Sequence, residues 1–288
     1  MIEGWSEGKD GRWTVRLPEV ANGEWAFRQL YVGGQLRPRP RLPKTGFFRV
    51  AEFPDGAREV HYHTDCQRFE FRPGDIDPAW RNLDDVEIVV YHFWTDSHLP
   101  IQEIDTETNI VTFKHKAGKV FTDDFTTSGA RYIAENVYEA MTDPGDWYLD
   151  RQNGVLEYLP KPGEKIGATP VTAPFAPALI SLQGNPLERR FVEHISFVGL
   201  RFEHTNFELP PGNSNDKQGS ASVPAAIRLE GARQCGFERC DISNLGTSAF
   251  EIGPGCRENR FARNRIGNVA ASAFRLDGGA AGSHPLTR

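Results

Sequence analysis

Apolar and polar residues alternate in short bursts along this chain, and they seldom recur at the three-to-four-residue spacing of a helix. The strongest burst, VEIVVYHFW over 86–94, is rich in β-branched and aromatic residues and predicts a strand. WAFRQLYV over 25–32, ended by Gly33 and Gly34, predicts another, and 109–114 and 147–150 predict two shorter ones. The segment 134–141 predicts a helix, closed by Thr142, Asp143, Pro144 and Gly145. Pro and Gly cluster at 160–163 and again at 170–177, which places a domain boundary near residue 172.

Beyond that boundary one short pattern returns four times, as ISLQG from Ile180, IRLEG from Ile227, FEIGP from Phe250 and FRLDG from Phe274. Each copy has two apolar residues separated by a polar one, then a fourth residue and a turn former. The last three copies start 23 and 24 residues apart, and the first stands 47 residues before the second. A second register runs with them at a spacing of 24, pairing Phe237 with Phe261, Ile242 with Ile266, Asn244 with Asn268 and Leu245 with Val269. The longer first gap holds the polar stretch NFELPPGNSNDKQGSAS over 206–222, which reads as a surface loop.

Such a period, carried by short alternating strands, predicts a parallel β-solenoid. One coil cannot bury its apolar side chains alone, whereas stacked coils share a continuous interior column. Ile227, Phe250 and Phe274 would stack inside, as would Leu229, Ile252 and Leu276. Asn244 and Asn268 would form an amide ladder at a turn. A leucine-rich repeat fits less well, because the asparagines lack the L-x-x-L-x-L frame. An ordinary β-sandwich with accidental spacing is the plainer alternative.

Composition agrees with an all-β chain. Gly contributes 28 and Pro 20 of the 288 residues, which suits turns better than helices. A net charge of −6 predicts no general nucleic-acid partner, since such binding draws on a surplus of Lys and Arg. No apolar run approaches the roughly 18 residues that span a bilayer, so no membrane partner is expected either. The four cysteines form no C-x-x-C pair and read as buried free thiols. P-loop, dinucleotide, G-x-S-x-G and H-E-x-x-H motifs are missing, and no cofactor is predicted. His61 and His63 would share one strand face, but no second cluster has ligand spacing, so no metal is expected.

The chain resembles right-handed parallel β-helix glycoside hydrolases, in particular the group around families 141 and 120. The resemblance is carried by FRQLYVGGQLRPRPRLP from Phe27, NVYEAMTDPGDWYLDRQNGVLEYLP from Asn136, HISFVGLRFEHTNF from His194 and VPAAIRLEGARQCGFERC from Val223. It implies an all-β, right-handed parallel β-helix over 173–288, with a β-rich domain inserted as 1–172. It also implies an oligo- or polysaccharide substrate and an extracellular or periplasmic location, although the start MIEGWSEGKDGRW shows neither the basic nor the apolar region of a signal peptide. Relatives of this type carry coils before the equivalent of Ile2 and after that of Gly278. The chain therefore reads as an internal piece, whose uncapped coils would invite end-to-end association.

Glycosidic hydrolysis uses two carboxyl groups, one as general acid and one as nucleophile or base. The outward fourth column of the repeat reads Gln183, Glu230, Gly253 and Asp277, which makes Asp277 and Glu230 the candidate catalytic pair. Glu203 is a third acid candidate. The neighbouring column reads Ser181, Arg228, Glu251 and Arg275. Its alternating signs fit a surface ion-pair ladder, or else Arg228, Glu251 and Arg275 contact substrate. His204 falls in the Asn244 and Asn268 register, where it would serve in ladder packing or in substrate contact and proton transfer. Trp94, Trp147 and Tyr148 would either fill the core or offer flat faces to sugar rings. The alternatives to a glycoside hydrolase are a non-catalytic carbohydrate-binding or structural solenoid, and a lyase or epimerase using a basic residue.

Overall fold

The computed structural model describes residues 1–8, 10–56, 61–123, 128–207, 209, 212, 214–215 and 218–276. It divides into two compact units. The first comprises Met1–Ala26, Val32–Val171 and Leu209–Gly219, and the second Phe27–Tyr31, Thr172–Glu208 and Ser220–Arg288. No helix among the described residues is long and apolar enough to cross a membrane.

The first unit is antiparallel. One sheet runs Ser6–Glu7, Trp13–Arg16, Val155–Tyr158, Trp147–Asp150. The other runs Arg41–Leu42, Arg131–Glu135, Glu87–Tyr91, Asp96–Asp105, Ile110–Ala117, Cys66–Glu70. Its inward residues alternate along each strand, so Phe69, Ile88, Val90, Leu99, Val111, Phe113 and Tyr132 share one core. The helix expected over 134–141 does not form. Ala134 is ladder-paired to both Leu42 and Ile88, and the chain then makes only a single 3-10 turn, Tyr138–Ala140. Two strand neighbours satisfy the backbone of Arg131–Glu135 from both sides, and its Tyr132 and Ala134 reach the core, so tertiary pairing overrides the local preference.

The 206–222 stretch is also more than a surface loop. Ser214 is 1% exposed, its hydroxyl donates to the Lys116 carbonyl at 2.6 Å, and Asn215 bridges to Ser97. A polar sequence is buried here because strand edges receive its hydrogen-bonding groups.

The second unit is parallel, and its register follows the repeat. Ile180 pairs with Ile227, Ile227 with Phe250 and Phe250 with Phe274. Each lap then adds strands to further parallel sheets: Ser196–Val198, Gly236–Glu238 and Arg260–Ala262 in one, Arg201–Thr205, Asp241–Leu245 and Arg265–Val269 in another. The core holds Leu182, Ile227, Leu229, Phe237, Ile242, Leu245 and Phe250. Phe197, Phe237 and Phe261 stack with centroids 4.7 and 5.7 Å apart, about the strand-to-strand rise.

The corners of the laps are left-handed residues at fixed intervals. His194, Gly199 and His204 recur one lap later as Gln234, Arg239 and Asn244, and again as Glu258, Arg263 and Asn268, all at positive φ. The first two of each set turn the chain between strands without a longer loop, whereas His204, Asn244 and Asn268 bend the strands Arg201–Thr205, Asp241–Leu245 and Arg265–Val269 from within. At Gly246 an added Cβ would lie 2.6 Å from the Phe207 nitrogen and 2.7 Å from the Thr205 oxygen of the lap before, so only glycine lets the laps close up there.

Two asparagines bind the laps through their side chains. Asn259 accepts from the Cys235 N–H at 3.0 Å and donates to the Ala232 carbonyl at 2.8 Å. Asn264 accepts from the Cys240 N–H at 2.9 Å and donates to the Phe237 carbonyl at 2.9 Å. Asn264→Ala would leave the Cys240 N–H without a partner and take one of two bonds from the Phe237 carbonyl, which keeps its ladder bond to the strand Arg260–Ala262. The expected cost is about 2 kcal/mol, read as a lowered urea midpoint by far-UV circular dichroism. An unchanged midpoint would mean that water replaces the amide freely.

All four cysteines are free, with Cys66, Cys235 and Cys240 buried and Cys256 half-buried.

Candidate functional site

The outward face of the sheet Ile180–Gln183, Ala225–Glu230, Ser248–Ile252, Phe274–Leu276 carries the charged columns. Alternation puts Ile227 and Leu229 inside and leaves Arg228 and Glu230 outside. Arg228, Glu251 and Arg275 are successive register partners, so the structure brings these three together. Glu251 and Arg275 form an ion pair at 2.6 Å, each side chain about one-fifth exposed. Arg275 also donates to the Ala221 and Val223 carbonyls at 3.2 and 3.1 Å, and Arg228 donates to the Ala225 carbonyl at 3.0 Å. The Arg275 guanidinium thus ties the Ala221 and Val223 carbonyls to this face, while that of Arg228 folds back on its own strand.

Glu230 is exposed and pairs in register with Gln183. Leu229, Ile252 and Leu276 are stacked partners, so the column one residue further on runs through Glu230 and Gly253, and the Gly253 N–H donates to the Leu229 carbonyl at 2.7 Å. Asp277 lies outside the described residues.

A second cluster surrounds His204. Glu203 pairs with Ser243 and Thr205 with Leu245, which sets His204 opposite Asn244. Asn268 donates to the Asn244 side-chain oxygen at 3.4 Å, continuing the column. The Tyr31 ring lies 4.5 Å from the His204 ring, and its hydroxyl donates to the Asn244 carbonyl at 2.9 Å. Glu203 accepts from the Ser243 hydroxyl at 3.1 Å. Burial pulls the His204 imidazole below its ordinary range, against the pull of Glu203, and pushes the Tyr31 phenol up to about 12, with Glu203 adding to the rise. His204 is therefore a neutral imidazole near pH 7, with its buried Nε2 bonded to nothing. A neutral imidazole between a carboxylate and a phenol can accept a hydrogen bond from a hydroxyl group. Tyr31 gave no local signal, because it reaches this cluster from a strand more than 170 positions earlier in the chain.

Of the three aromatic candidates, Trp147 and Tyr148 are buried at 1% and 0% exposure, and the Trp147 indole donates to the Arg37 carbonyl at 3.0 Å. They are core residues and present no face to a sugar. Trp94 stands in the first unit and is 45% exposed. His61 and His63 sit in a turn, with ring centroids 5.6 Å apart. Among the described residues, no group of three or more His, Cys, Asp or Glu is placed to hold a metal ion.

No protein-family model matches the chain, and no curated protein matches its sequence. A solved structure described as a glycoside hydrolase does match, with a TM-score of 0.69 at 20% sequence identity. It is a likeness of fold. The match covers 88% of this chain and 50% of the other, so the chain spans about half the length of that protein.

Proposed function

We propose that the chain is part of a glycoside hydrolase built on a right-handed parallel β-helix. Residues 173–288 supply coils, and residues 1–172 form the inserted β-rich domain. The observation that carries this reading is the in-register stacking of four laps, Ile180 on Ile227 on Phe250 on Phe274, in a chain whose fold matches a glycoside hydrolase over 88% of its length. The substrate is an oligo- or polysaccharide met outside the cell or in the periplasm.

Asp277 and Glu230 are the proposed catalytic carboxyls. In the sequence repeat they hold the same fourth position two copies apart, which at about 4.8 Å per copy gives a spacing of roughly 9.6 Å. That is about the upper limit for an inverting pair, in which one carboxylic acid protonates the leaving oxygen and the other activates water. Gly253 between them has no side chain to fill the gap. Glu251 and Arg275 are assigned to holding the laps and the Ala221 and Val223 carbonyls, and Arg228 to its own strand, because their charged groups are already engaged there.

The test uses the full-length protein that contains this chain, assayed on a panel of plant and microbial polysaccharides. Asp277→Asn and Glu230→Gln are each expected to stop product release while far-UV circular dichroism stays unchanged. Full turnover by either variant removes that residue from the site. A parent protein that releases no sugar from any member of the panel removes the hydrolase reading.

A further inference from the structure

A short hairpin loop joins the strands Glu87–Tyr91 and Asp96–Asp105, and its tip is Phe93-Trp94. The His92 N–H donates to the Thr95 carbonyl at 2.9 Å and closes the turn. Turns of this size favour Gly, Asn and Asp, so two large aromatics at the tip bring the turn no conformational gain. They add little to the core either, since Phe93 is 46% and Trp94 45% exposed. The two rings meet edge-to-face at 4.9 Å, and Tyr62 extends the surface 5.6 Å from Trp94.

This tip is braced from below. Lys119, only 6% exposed, donates to the Thr95 hydroxyl at 2.8 Å and lies 5.0 Å from the Trp94 ring centre and 5.5 Å from that of Tyr62. His92 and Ser97 are hydrogen-bonded at 2.8 Å inside the same hairpin, and the Tyr62 carbonyl accepts from the Val120 N–H at 3.1 Å. Loop tips are ordinarily mobile. Rings held this way lose little freedom when a ligand lands on them.

We propose that Trp94, Phe93 and Tyr62 form a docking platform for the pyranose rings of a polysaccharide, a binding site carried by the first unit. The choice of a sugar as occupant rests on the glycoside-hydrolase reading. A pyranose presents a flat C–H face, which suits an aromatic face, and a rim of hydroxyls, which needs polar neighbours. The exposed imidazoles of His61 and His63 supply that rim, the His63 ring lying 5.1 Å from Tyr62. Area points the same way. Three partly exposed rings offer roughly 250 Å². That is enough for one or two sugar rings and far below the approximately 800 Å² per partner of a stable protein interface.

Affinity electrophoresis through gels containing xylan, β-glucan or homogalacturonan tests the proposal, with the full-length protein and its Trp94→Ala and Trp94→Phe variants. The wild type is expected to be retarded by at least one polymer. Trp94→Ala should weaken that binding about tenfold, and Trp94→Phe should restore part of it. No retardation in any gel, or equal retardation of the alanine variant, overturns the platform. So does a wild-type dimer that Trp94→Ala converts to monomer in sedimentation, since the rings would then serve a second copy of the chain. The two readings fail separately. Retardation without cleavage of any polymer leaves the platform and removes the hydrolase, whereas cleavage without a Trp94 effect on binding does the reverse.

Discussion

Phe250→Ala is expected to destabilise the second unit by about 3–5 kcal/mol, the usual range for deleting a fully buried aromatic ring. Phe250 is 0% exposed. Its ring stacks on Phe274 at 5.0 Å and meets Phe237 and Phe261 edge-on at 5.1 and 5.0 Å. Removing it leaves a cavity that touches three laps. In a stacked repeat each lap is stabilised through its neighbours, so one hole weakens the contacts above and below together. The change can be read unit by unit. All six tryptophans (Trp5, Trp13, Trp25, Trp80, Trp94 and Trp147) lie in the first unit, so their fluorescence reports that unit alone. Urea melts of Phe250→Ala should therefore show the loss in far-UV circular dichroism and a smaller shift in tryptophan emission. Phe250→Leu, which keeps most of the volume, should cost less than about 1.5 kcal/mol. A dichroism shift of under about 1 kcal/mol for the alanine variant would mean that the laps are not packed through this column.

That column was readable from the amino acids because a lap advances the chain by a nearly constant length. Residues 23 or 24 apart become neighbours, and the apolar pattern in each must then match. Ile227, Phe250 and Phe274 meet that condition, and so do Asn244 and Asn268. The corner residues were less visible. Gln234 and Glu258, or Arg239 and Arg263, share a positive φ but no side-chain chemistry, because the backbone turn imposes the conformation and solvent accepts any polar group. Asn259 and Asn264 serve Cys235 and Cys240 of the lap before, so their role appears only once the laps are stacked. The 134–141 segment misled for a related reason. A strand that gains two ladder neighbours far away in sequence can carry residues of good helix propensity, and no local window contains those neighbours. Of the site, the alternating column Arg228, Glu251 and Arg275 could be read directly. Two things could not: the 221–223 carbonyls that occupy Arg275, and the Tyr31 ring against His204.

In the first unit, stability is expected to fall as the solution is acidified from about pH 6.5 to about pH 4, because of His92. Burial is the main cause, and the nearby Lys119 ammonium the second, that brings this imidazole down from 6.5 to about 4, while the Val120 backbone carbonyl, which favours the protonated ring, works weakly the other way. The side chain is 7% exposed, and Nε2 is bonded to the Ser97 hydroxyl at 2.8 Å. The sign follows from which state takes the proton first. The unfolded chain binds it near pH 6.5, whereas the folded chain resists until about pH 4. The full contribution of a neutral His92 is thus present above pH 6.5, drains away through the window, and levels off below it. At 1.36 kcal/mol per pH unit the loss approaches about 3 kcal/mol. His92→Gln keeps a polar group beside Ser97 but cannot titrate in this range. Urea midpoints followed by tryptophan emission at several pH values should show the wild type losing about 3 kcal/mol more than His92→Gln between pH 7 and pH 4. Parallel pH profiles for the two proteins would place the proton on some other group and leave His92 with a packing role alone.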